Sequence, residues 1–144
     1  MTDREGVAAC QWRLAYVWFS GAGAILAILV AQTVYGTYGG QVQKVWSWFM
    51  AAVLPTLTLM IGSLAYEARV EPAGAGATVD RRMYRLSQGL SILYLFLVFA
   101  AVIARAFPIA VSPVEFMEQS NLWLLPTQGF VSGALGAFFV SRKN

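Results

Sequence analysis

Four long apolar runs, separated by short polar or charged stretches, set the pattern of this chain: about 14–35, 45–66, 86–107 and 122–140. An α-helix needs about 20 mostly apolar residues to cross a hydrocarbon layer about 30 Å thick, and each run has that length. In lipid a helix satisfies all of its backbone hydrogen bonds within the segment. The expected fold is therefore all-α, an integral membrane four-helix bundle. The start of the chain, Met1 to Arg13, places Arg4 and Arg13 ahead of the first run in the manner of a signal peptide. That run is longer than the ~7–15 residues of a signal core, so it reads as a transmembrane helix.

Small residues are not scattered within these runs. At about 100° per residue, the last run gathers Gly129, Ser132, Gly133 and Gly136 in one narrow sector and sends Leu124, Val131, Leu135 and Phe138 to the other side. The first run gathers Ser20, Gly23, Ala24, Ala27 and Ala31, and the second Ser47, Ala51, Pro55, Thr58 and Gly62. In lipid, small faces are where helices come close, because lipid tails are as apolar as leucine and a bare face gains nothing by facing them. The small faces of the first and last runs are thus expected to pack, within the bundle or between subunits, with those two helices as neighbours. The third run, whose middle reads ILYLFLVFAAVIA, is bulky and is expected to be the most lipid-exposed.

Polar residues inside the runs are few. Pro55 removes the hydrogen bond to the Ala51 carbonyl and is expected to kink the second helix. Pro55, Thr56 and Thr58 together are the candidate pore-lining or kink residues, with plain helix packing as the simpler reading. Gln32, Thr33, Gln88 and Ser91 fall near run ends and are expected at the membrane interface.

The connections have their own signals. Gly36 to Gly40 reads as a turn, followed by Trp46 and Trp48 as an aromatic belt. Residues 67–85 read as a flexible loop with a basic end at Arg81, Arg82 and Arg85. Ser112-Pro113-Val114-Glu115 has a capping serine, a proline at the first helical position and a glutamate two residues after it. It predicts a short interfacial helix between the third and fourth spans, with Ser120 or Asn121 capping the last helix and Pro126 tolerated early in it.

Charge then orients the bundle. Eight of the ten Lys and Arg lie in the N-terminal segment, the 67–85 loop and the C-terminal SRKN, and only Lys44 and Arg105 lie on the other side. The positive-inside rule places both termini and that loop in the cytoplasm of a multi-pass cell-membrane protein. Arg105 is expected to pair with Glu115 or Glu118 at the outer surface. The basic residues flank apolar runs and form no aromatic-interleaved patch, so no nucleic-acid partner is expected.

Composition narrows the chemistry. Charged residues make up 12% of the chain, about half the usual share, and apolar ones 58%. There is no histidine and only one cysteine, Cys10. That removes imidazole metal ligands, haem-ligating histidine and every histidine-activated nucleophile. No Asp, Glu, Lys or Arg stands in the middle of a run, which removes the usual mark of proton relays and ion-coupled transport. No catalytic, metal or cofactor site is expected. The leading expectation is a non-enzymatic membrane protein that self-associates as a homo-oligomer, lining a pore or perturbing the bilayer as an effector of a larger system. The alternatives are an accessory or scaffold subunit that docks a cytoplasmic partner through loop 67–85, and a transporter of a neutral or apolar solute.

Overall fold

The structure, a computed structural model, describes residues 4–69, 78–104, 107 and 111–140. Four long helices account for most of them: α1 (Val7–Val34), α2 (Val42–Arg69), α3 (Arg81–Ile103) and α4 (Pro113–Val140). At 1.5 Å per residue, the 28 residues of α1, α2 and α4 each extend about 42 Å, more than a hydrocarbon layer is thick. Among the described residues, three of the helices, α1, α2 and α3, are long and apolar enough to cross a membrane. Only 33%, 33% and 39% of their apolar windows are buried inside the chain, so most of that apolar surface faces outward.

Named contacts give the directions. A short antiparallel pairing of β1 (Arg4–Gly6) with β2 (Thr78–Asp80) brings the starts of α1 and α3 to one end. At the far end, the Gln32 amide nitrogen of α1 donates to the Val102 carbonyl of α3 at 3.4 Å, so α1 and α3 run parallel. The indole N–H of Trp46, early in α2, donates to Thr33 Oγ1, late in α1, at 3.2 Å, and α2 therefore runs back. Lys44 of α2 lies 3.5 Å from Glu118 of α4, which makes those two parallel. Between α1 and α2 the chain reverses through Gly36 and Gly39, both in the left-handed region at φ 69° and 53°, which glycine adopts without steric cost.

The core is a single cluster drawn from all four helices. Trp18 and Tyr94 are its largest fully buried side chains, their rings stacked at 5.8 Å between centroids. Around them lie Leu14, Leu29, Met60, Met117, Leu124 and Leu135, each essentially without exposure. Helix α3 packs on both α1 and α4, α4 packs on α2, and α1 touches α2 more sparsely.

Several expectations are corrected here. The predicted interfacial helix is not separate: Ser112 does cap a helix start, accepting the Glu115 N–H at 3.2 Å, but that helix runs on unbroken to Val140. No glycine stands between Pro113 and Pro126 to end it, and Ser120 turns its hydroxyl back to the Met117 carbonyl at 2.6 Å instead of capping a new helix. Its Val114 and Met117 are buried in the core, so this first part packs on the bundle. Pro126 consequently sits inside α4, not near its start. Helix α3 is not the most lipid-exposed; it is central, and Ser91 is fully buried with its hydroxyl on the Ser87 carbonyl at 2.7 Å. The 67–85 loop is shorter than expected, since α2 reaches Arg69 and residues 78–80 are paired. Arg105 lies outside the described residues, and Glu118 is paired with Lys44.

Candidate functional site: a capped proline opening and three outward small faces

Pro55 stands inside α2, which continues as a helix through it. Without an N–H, proline leaves the Ala51 carbonyl with no helical donor, and in hydrocarbon such a group costs several kcal/mol. Two other helices supply donors at this point. The Gln128 side-chain amide of α4 donates to the Ala51 and Ala52 carbonyls, at 3.3 and 3.2 Å. The Tyr94 hydroxyl of α3 donates to the Ala52 carbonyl at 2.8 Å. The opening created by one proline thus becomes the place where α2 is tied to α3 and α4.

The candidate pore residues are separated by this geometry. Pro55 and Thr58 face outward, whereas Thr56 is 2% exposed and faces the core. The three do not share one wall.

The small faces also land differently from a packed interior. On α1, Ser20, Gly23, Ala24, Ala27 and Ala31 are all exposed. On α4, Gly129 and Gly133 are exposed and Ser132 and Gly136 half-buried, while Leu124, Val131 and Leu135 on the opposite side are buried. The expectation of glycine-face packing within the bundle is therefore corrected, as is that of α1 and α4 as neighbours, since each packs on α3. The reason is area: inside one chain, a bulky stripe on each helix buries more surface and gains more dispersion contacts than a bare one. On α2, Ser47, Ala51, Pro55, Thr58 and Gly62 are likewise exposed.

These glycines have room. A methyl group placed on Gly23, Gly62, Gly129, Gly133 or Gly136 would meet no atom within 4 Å, whereas one on Gly21 would come within 2.8 Å of Leu95 Cδ1. Gly21 serves close packing of α1 on α3; the others serve no contact inside the chain. The faces of α2 and α4 also adjoin. Gln128 lies on α4 between its buried stripe and its glycine stripe, and it reaches Ala51 at the edge of the small face of α2. The two faces therefore flank one seam at the same height.

A second polar cluster closes the far end. Tyr38, buried in the α1–α2 turn, donates its hydroxyl to Gln32 Oε1, Gln32 donates to the Val102 carbonyl near the C-terminus of α3, and Thr33 accepts from Trp46. Gln32 and Thr33, expected to reach interfacial water, instead join α1 to α3 and α2. The sequence offers one signal for this that composition obscures, namely three polar side chains clustered around a glycine turn. No family model, curated protein or solved structure matches this chain.

Proposed function

We propose that this chain is a multi-pass protein of the cell membrane, its four helices across the bilayer and both termini cytoplasmic, that self-associates through outward small-residue faces on α1, α2 and α4. The observation that carries the reading is the inversion of side-chain size. Bulky residues fill the interior, and the glycines and alanines that would let another helix approach closely are turned away from it. Glycine inside a helix costs about 1 kcal/mol relative to alanine, so five glycine positions on these faces that serve no internal contact (Gly23, Gly62, Gly129, Gly133 and Gly136) need a gain from outside the chain. In lipid that gain is close backbone approach by another helix. The topology is supported by the pairing of Arg4–Gly6 with Thr78–Asp80, which gathers the N-terminal segment and the basic start of α3 at one end.

The test is the mass of the detergent-solubilised protein by light scattering, with helix content by circular dichroism. The native chain is expected to be oligomeric, and Gly133→Leu and Gly23→Leu to lower its mass at unchanged helix content. Leu135→Ala, in the interior, should instead lower fold stability by about 2–5 kcal/mol. A monomeric native chain, or a mass that Gly133→Leu and Gly23→Leu both leave intact, overturns self-association through these faces.

A further inference from the structure

Between α1 and α3, at the end where both helices begin, lies an open groove of about 750 Å³ lined by Trp12, Arg13, Tyr16, Phe19, Tyr84 and Gln88. Its walls are largely aromatic, and Trp12 and Tyr16 are 66% and 76% exposed, so the groove opens on the outer surface of the bundle. One guanidinium, that of Arg13, belongs to the wall itself. On α3, Arg81 and Arg85 precede Gln88 by seven and three residues and share its helix face. The groove is thus an apolar trough with one guanidinium in its wall and two more arginines on the α3 face that carries Gln88, and tryptophan and tyrosine beside arginine are what the boundary between hydrocarbon and headgroups selects.

We propose that this groove holds an anionic glycerophospholipid of the surrounding bilayer, an acyl chain against Trp12, Tyr16 and Phe19 and the head phosphate against Arg13, Arg81 and Arg85. The proposal rests on the membrane reading above. Guanidinium presents several N–H donors in a planar fork that matches phosphate, and basic sites between spanning helices on the cytoplasmic side suit anionic headgroups. An anionic head adds net negative charge beside these arginines, which a neutral or zwitterionic head does not. The apolar walls favour a lipid over free phosphate, because a soluble anion leaves them uncovered.

The test uses the full chain in nanodiscs containing brominated-acyl lipid, and reads quenching of Trp12 as the difference between the native chain and Trp12→Phe. Brominated phosphatidylglycerol is expected to quench Trp12 several-fold more than brominated phosphatidylcholine at equal mole fraction. Each arginine should contribute on the order of five-fold to the preference. The combined Arg13→Gln, Arg81→Gln, Arg85→Gln variant should abolish the excess, the corresponding lysine variant should keep part of it, and glycerol phosphate in solution should leave it unchanged. Equal quenching of Trp12 by the two lipids overturns the site, as does an excess that survives loss of the arginines or one that glycerol phosphate reverses. Absence of quenching of every tryptophan by both lipids overturns the membrane reading, and the site with it.

Discussion

The Gln128 side-chain nitrogen lies 3.3 Å from the carbonyl oxygen of Ala51, the group whose helical donor Pro55 has removed. A glutamine on α4 thereby replaces a backbone bond missing from α2, and the two residues are energetically one unit. Gln128→Leu is expected to destabilise the chain by about 1 kcal/mol, measured by denaturation in detergent. In a Pro55→Ala background the restored N–H can return to the Ala51 carbonyl, so the same Gln128→Leu change should cost less. Equal costs in the two backgrounds would show that Gln128 does not act through the proline opening. Tyr94→Phe removes the 2.8 Å bond to Ala52 while keeping the ring on Trp18, and should be non-additive with Gln128→Leu because both donors share one acceptor.

Orientation is checked by labelling in intact cells. Cys10 is buried, so the native chain should react little with an impermeant thiol reagent. Gly40→Cys, in the turn between α1 and α2 where a side chain meets no atom within 4 Å, should react, and Ala75→Cys in the basic connection should be protected. The opposite pattern reverses the topology that the eight-to-two division of Lys and Arg supports.

Gln11 is fully buried in α1, and neither its amide oxygen nor its nitrogen has a hydrogen-bond partner. Burying such a group without partners costs about 1–3 kcal/mol. Gln11→Met, close in shape and without the amide, should therefore raise the thermal midpoint of the solubilised protein. A lowered midpoint would mean that the amide finds a partner in the folded protein, and the inference from its burial would fail.

Some of this architecture is legible residue by residue and some is not. The helix start at Ser112-Pro113 is readable because a cap is a local event, three residues long, and the structure reproduces it in the Glu115 N–H bond to Ser112. The continuation of that helix past Ser120 and Asn121 is not, because a residue able to cap is equally able to sit inside a helix with its hydroxyl on a preceding carbonyl. Pro55 is visible as a defect in α2, and the carbonyl it frees can be named in advance. Its donor cannot, since Gln128 lies 77 positions from Ala51, and neither can the Tyr94 hydroxyl that joins α3 to the next carbonyl, Ala52, 42 positions away. The α1–α3 groove has no signature in either segment alone, because Trp12 and Gln88 share a wall only once the two helices are side by side.

By itself the sequence determined how many long helices the chain forms, roughly where they lie and how apolar they are, because length, hydropathy and breakers act within one segment. It also located the small faces of α1, α2 and α4, since these follow from helical periodicity. Which way each face turns was decided only by the tertiary structure. A helix that is apolar on every side carries no polar-out signal to set its rotation, so the choice falls to surfaces on other helices. Trp18 against Tyr94 and the Leu124, Val131 and Leu135 stripe of α4 won the interior because together they bury more area than the glycines opposite them.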